Sequence, residues 1–99
     1  MKPIVLKLAR NDLKEIRERL AEFGNNPPSK FRRSFEAFCA NITSMPLMYP
    51  QYELNSKYRK AVIEYEYIVF YQVDDSDSES VAKIYRVLHG KRDISPLLD

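Results

Sequence analysis

Apolar positions recur along this chain in distinct rhythms, and each rhythm predicts its own element. The opening "PIVLKLA" is β-branched and apolar and predicts a first strand from Pro3 to Leu8, with the proline at a strand start or sheet edge. Asp12 and Glu15 then carry the D-x-x-E spacing of a capping box. Leu13, Ile16, Leu20 and Phe23 follow at helical spacing and form one apolar face. This predicts a helix over about 12–23, closed by Gly24. Lys14/Glu18 and Glu15/Arg19 are placed as i,i+4 pairs on its wet side.

The stretch "GNNPPSK" reads as a turn in which Asn26 can cap and Pro27 and Pro28 suit a first helical turn. Phe31, Phe35, Phe38, Ile42 and Met45 then mark a second amphipathic helix that must end near Pro46. So short a connection predicts an antiparallel helical hairpin. The loop "PLMYPQYELNS" follows, and then the dense Tyr, Val and Ile of "KYRKAVIEYEYIVFYQVD" predict strands over about 57–64 and 67–73, with "EYE" as a tight turn. The acidic "DDSDSES" reads as a hairpin loop. "VAKIYRVLH" is apolar on nearly both faces, which places it centrally in the sheet. The order is β-α-α-β-β-β, an α+β fold with the helical hairpin on one face of a small, mostly antiparallel sheet. The sheet's other face is the expected meeting place of Arg59, Arg86 and the tyrosines.

Composition narrows the function classes. Ninety-nine residues support one domain, 1–99, with a single modest core. Sixteen basic against 14 acidic residues leave a net charge of +2, so any electropositive surface must be local. Cys39 is the only cysteine; it can form no intramolecular disulfide and reads as a buried thiol in a reducing cytoplasm. The longest apolar run is about five residues, Tyr67 to Tyr71, which argues against a signal peptide or a membrane span. There is no Cys/His cluster for zinc and no glycine-rich phosphate loop, so neither metal nor cofactor is expected.

Two features carry candidate chemistry. Tyr58, Tyr65, Tyr67, Tyr71 and Tyr85 alternate with Arg59, Lys60, Lys83 and Arg86, a mixture that can stack bases and hold phosphates, or simply fill half-buried sheet positions. The single histidine, His89, stands in "RVLHGKRDI" beside Gly90, with Arg86, Lys91 and Arg92 around it. An imidazole among cations suits acid–base cleavage of RNA through the 2′-hydroxyl; the bland alternative is a histidine that ends a strand by hydrogen bonding. Gly90 is expected to supply a positive φ or a tight bend.

"YRKAVIEYEYIVFYQVD" followed by "IYRVLHGKRD" resembles the RelE/ParE superfamily of bacterial toxins, the toxin halves of toxin–antitoxin modules. The "MP...YP" loop and the element order match as well, and the resemblance covers nearly the whole chain. Two branches are implied. In the ribosome-dependent branch the chain would be an mRNA endoribonuclease, with Arg59, His89 and Arg92 in its active site. The match to that branch is incomplete: Ala61 and Ile68 stand where cations are expected, and Leu98 where a catalytic tyrosine would fall. Losing several such groups leaves a poor nuclease, because each acid or base contributes about 10²–10⁴-fold. The other branch is ParE-like, and "RVLHGKRD" favours it. It implies a toxin that binds DNA gyrase and blocks replication, with Lys60, Arg86 and Lys91 as target contacts.

Either branch implies the same partner, a cognate antitoxin whose disordered segment folds onto the toxin. Leu13, Ile16, Leu20, Phe31 and Phe35 are the expected contacts. The complex would bind operator DNA through the antitoxin, and the toxin would act in the cytoplasm, without a small-molecule substrate or a membrane.

Overall fold

The structure is a computed structural model that describes residues 3–74 and 81–98. Strand β1 spans Ile4–Val5, helix α1 Lys7–Ala21 and helix α2 Asn26–Ser44, followed by β2 at Arg59–Ile63, β3 at Tyr67–Asp74 and β4 at Val81–His89. Short 3₁₀ turns occupy Glu64–Glu66 and Ser95–Leu97. The sheet order is β1-β4-β3-β2, so β4 is indeed an inner strand; β1 runs parallel to it and the other pairs are antiparallel. The α+β architecture and element order agree with the sequence reading. Of the acidic hairpin loop, residues 75–80 lie outside the described part.

The largest departure is at the start. The first strand is only two residues long and α1 begins at Lys7, five residues before the expected cap. Lys, Leu, Ala and Arg at 7–10 are good helix formers, and they extend the inward stripe back to Ala9, which is fully buried. Asp12 is therefore no N-cap: it lies inside the helix on its buried face. Phe23, expected on that face, is 76% exposed because the helix ends at Ala21. Gly24 takes a left-handed φ of 110° and its N–H bonds Ala21 O at 3.2 Å, closing the helix as expected. Neither expected i,i+4 pair on α1 closes to within 4.0 Å among the described residues; the pair that forms is Arg32–Glu36 on α2.

The sheet separates two apolar clusters. Against the helices lie Ala61, Tyr67, Val69, Tyr71, Ala82, Ile84 and Val87, packed on Ala9, Leu13, Ile16, Leu20, Phe31, Phe38 and Ile42. The opposite face carries Tyr52, Tyr58, Phe70, Leu88 and Leu98, closed over by Ile94 and Leu97 of the C-terminal segment. A register shift opposite Phe70/Tyr71 sets the step from Ile84 to Arg86 and lets two successive β4 residues, Tyr85 and Arg86, lie between helix-facing Ile84 and Val87. The tyrosines accordingly do not share a face. Tyr67 and Tyr71 pack beneath the helices, whereas Tyr58 and Tyr85 meet on the other side with ring centroids 5.4 Å apart.

The connection between β2 and β3 is strained. Tyr65 and Glu66 have φ of 62° and 63°, left-handed values that cost about 1–2 kcal/mol for each L-residue. Three contacts hold the turn: Ser34 Oγ accepts the Glu64 N–H at 3.0 Å, Lys30 lies 3.6 Å from Glu64, and Gly90 N–H bonds Glu66 O at 2.9 Å. Gly90 is required for close approach rather than for a positive φ. A Cβ there would stand 3.1 Å from Glu66 O and 3.6 Å from Ile68 Cδ1.

Two titrations follow from the packing. Burial pushes the Cys39 thiol up to about 11, helped by the Glu36 carboxylate. Iodoacetamide at pH 8 should therefore modify native Cys39 at least about tenfold more slowly than the urea-unfolded chain, because the thiolate is the nucleophile. Burial likewise pushes Tyr71 up to about 12, against a smaller opposing pull from Arg59, and its hydroxyl donates to Pro46 O at 2.8 Å. The folded state holds this proton more tightly than the unfolded chain. Its contribution is complete below the ordinary tyrosine value of 10.0 and is lost as pH rises through about 12. Tyr71→Phe should cost about 1 kcal/mol at pH 7 and remove that part of the alkaline loss, as read by urea denaturation at pH 7 and 11.

Candidate functional site

The "RVLHGKRDI" segment begins in β4 and ends in a turn stitched to its surroundings. His89 Nδ1 accepts the Lys91 N–H at 3.2 Å, and Arg92 N–H bonds His89 O at 3.0 Å. The tautomer that accepts at Nδ1 carries its hydrogen on Nε2. The ring stands edge-on to Tyr67, centroids 5.1 Å apart at 89°. His89 is thus built into the strand end by a hydrogen bond and an aromatic contact.

β1 pairs with β4 only at Lys83 and Ile84, after which the β4 edge would lie bare. Asp12 covers it. Its Oδ2 accepts the Val87 N–H at 3.0 Å, the bond a longer β1 would have made. The same carboxylate takes two bonds from Arg86, Nε to Oδ2 at 2.8 Å and Nη2 to Oδ1 at 2.9 Å. Arg86 Nη1 also donates to Leu97 O at 3.1 Å. One bidentate pair therefore ties α1, the central strand and the C-terminal segment together. Both side chains are largely buried, at 15% and 8% exposure, and the bonds to Asp12 raise the Arg86 pKa above its ordinary value.

Beside this pair is a small open cleft of about 40 Å³, room for about three waters. Asp12, Glu15, Ile16 and Arg19 line it from α1, Tyr67 from β3, Val87, Leu88 and His89 from β4, and Arg92 from the turn. Sequence reasoning missed Asp12, Arg19 and Tyr67 as parts of one place. The available signal was an aspartate on an otherwise apolar helix stripe in a chain whose central strand carries an arginine.

The other expected site residues are dispersed. Arg59 faces the helix side at the far end of β2, where Nη1 donates to Tyr49 O at 2.7 Å and Leu47 O at 3.5 Å. It pairs with Tyr71 while His89 pairs with Tyr67, two strands across. At about 3.3 Å per residue and 4.8 Å per strand, Arg59 and His89 are roughly 16 Å apart. Lys60 points to the opposite face, 3.0 Å from Glu53 Oε1 and over the Tyr52 ring at 5.5 Å. Lys91 is exposed in the turn. The structure brings His89 and Arg92 together and leaves Arg59 and Lys60 apart from them. Of the expected antitoxin contacts, Leu13, Ile16, Leu20 and Phe31 are core residues and Phe35 is half-buried against Phe38. Exposed apolar surface lies instead at Leu8, Phe23, Met45, Leu47, Met48, Leu54 and Val62. Among the described residues no group of His, Cys, Asp and Glu could hold a metal, and no helix is long and apolar enough to cross a membrane.

A family model described as "ParE toxin of type II toxin-antitoxin system, parDE" matches residues 4–94. The chain belongs to this family. Among solved structures, a YoeB/ParE toxin from Agrobacterium tumefaciens is similar, with a TM-score of 0.65 at 15% identity over 90% of this chain and 98% of that one. At that identity the likeness speaks for the fold. No curated protein matches the chain. This chain is therefore the toxin component of a type II toxin–antitoxin module in the RelE/ParE superfamily, and family membership implies a cognate antitoxin.

The Asp12–Arg86 pair supplies the sharpest test of the toxin's architecture. Asp12→Ala leaves a buried guanidinium without its partner and a bare Val87 N–H, which should cost about 3–5 kcal/mol. The melting temperature should fall by at least about 12 °C. Adding Arg86→Met removes the orphaned charge and should recover part of the loss. A fall of less than about 4 °C for Asp12→Ala would contradict the role given to this pair.

Proposed function

We propose that this ParE-family toxin is a non-catalytic inhibitor that binds DNA gyrase and blocks replication, held in check by its antitoxin in the cytoplasm. Membership of the ParE family supports the target. The observation that carries the non-catalytic reading is the dispersal of the candidate catalytic set. Phosphodiester cleavage needs base, acid and phosphorane cation within a few ångströms of one phosphate. Arg59 is bound to two backbone carbonyls about 16 Å from His89, and His89 spends Nδ1 on the Lys91 N–H. Ala61 and Ile68 add no cation between them.

Binding a large enzyme needs surface rather than an aligned catalytic group. Lys60 and Lys91 are placed as target contacts, while Arg86 acts through the segment it holds. The antitoxin is placed on the exposed apolar side chains, including Met45, Leu47 and Met48 beyond α2. The antitoxin would bring operator binding to the complex, and the pair would act as a plasmid-stabilisation module.

Induced expression of the toxin alone tests the reading. His89→Asn retains an acceptor for the Lys91 N–H and should arrest growth as wild type does, with intact mRNA, altered plasmid topology and a DNA-damage response. A nuclease dependent on His89 would lose about 10²–10⁴-fold in this variant. mRNA cut within translated codons by wild type and spared by His89→Asn would overturn the proposal in favour of ribosome-dependent cleavage.

A further inference from the structure

The cleft beside the Asp12–Arg86 pair holds more donors than the fold uses. Arg19 and Arg92 line it, and neither has an ion-pair partner within 4.0 Å among the described residues. Tyr67 is 4% exposed, and its hydroxyl has no hydrogen-bond partner among the described residues. No buried side-chain polar atom among the described residues is left unpartnered, so this hydroxyl must reach solvent. His89 keeps Nε2–H as a donor, because Nδ1 is occupied by the Lys91 N–H. Ile16 and Val87 line the cleft with apolar surface, where a hydrogen-bonded anion is less screened than in open water.

Charge decides what this arrangement suits. Asp12 and Arg86 neutralise one another. Among the fixed charges of the lining, Arg19 and Arg92 contribute two positive and Glu15 one negative, leaving an excess of one. A monoanion balances that excess, whereas a phosphate dianion would exceed it and be repelled by Glu15. Two planar guanidinium forks also match the two oxygens of a carboxylate. The small volume suits a single head group.

We propose that this cleft is a carboxylate receptor, and that its occupant is an Asp or Glu side chain of the antitoxin segment folded onto the toxin. The inference rests on the toxin–antitoxin assignment and is independent of whether the target is gyrase. The acid would lie between Arg19 of α1 and Arg92 of the turn, with Tyr67 and His89 Nε2 as further donors. It would extend the carboxylate that Asp12 already supplies at the β4 edge. The partner would then bridge α1 to the turn after β4, and neutralisation would act on the same segment as the candidate target contact Lys91.

The test uses the full toxin and the antitoxin encoded beside it, with affinity measured by titration calorimetry at low and high salt. Arg19→Gln and Arg92→Gln should each weaken binding at least tenfold, with a shallower salt dependence than wild type. Arg19→Lys, which keeps the charge and loses the fork, should recover only part. Arg32→Gln, on the outer surface of α2, should stay within threefold. Amide replacement of one acidic antitoxin residue should weaken wild type and leave Arg19→Gln unchanged. Circular dichroism melts identify any variant that fails to fold, in which case Arg19→Lys and the corresponding Arg92→Lys carry the test. Binding by both glutamine variants within threefold of wild type would overturn the proposal. So would retained antitoxin affinity with lost growth arrest, which would assign the cleft to the target. A wild-type toxin that binds its antitoxin tightly but leaves gyrase untouched would defeat the proposed target and not this inference.

Discussion

The structure depends on one carboxylate. β1 is too short to cover the central strand, and a bare inner edge would leave Val87 N–H unpaired beneath α1. Asp12 supplies the missing acceptor from within a helix. Burying an acid there demands a counter-charge, and Arg86, from the adjacent residue of the same strand, supplies it in a bidentate pair. The remaining guanidinium nitrogen binds Leu97 O and so draws the C-terminal segment over the outer face of the sheet. Helix, sheet edge and tail are therefore set by a single charge pair, in a domain whose core is small enough for such a pair to matter.

A second constraint lies close by, at the same end of the β3–β4 pair. The left-handed pair Tyr65 and Glu66 persists because α2 and Gly90 hold it from two sides. Gly90 permits the close approach, and the residues flanking it become the exposed turn. His89, next in line, is oriented by that turn and by Tyr67. The same backbone bonds that close the strand thus place an imidazole and a guanidinium at the mouth of the cleft. Seen this way, the histidine-glycine pair is an architectural device that also presents donors, and neither of its parts needs to move a proton.

Much of this was legible in the sequence. The apolar stripe of α2, the β-branched strands and the two-sided apolar run of β4 declare themselves by period, because burial acts on every residue of those elements. At the start of α1 two local signals compete with the helix: β-branched residues at 4–5 and a D-x-x-E spacing at 12–15. The tertiary demand for an acid at the sheet edge prevailed over the capping pattern. Proximity in sequence suggests a common face for Arg59 and the tyrosines, but strand alternation and the register shift near Tyr85 divide them. The cleft was invisible for the same reason. Arg19, Tyr67 and Arg92 belong to three different segments and meet only through the register of β3 and β4.

The central claim is that the toxin acts by binding gyrase and not by cutting RNA. The most direct measurement adds purified toxin to gyrase with relaxed plasmid and, in parallel, to ribosomes programmed with a defined mRNA. The account predicts loss of supercoiling and accumulation of cleaved plasmid, both reversed by antitoxin, with the mRNA intact. Unaffected supercoiling together with cleavage of the mRNA in the ribosome would contradict it.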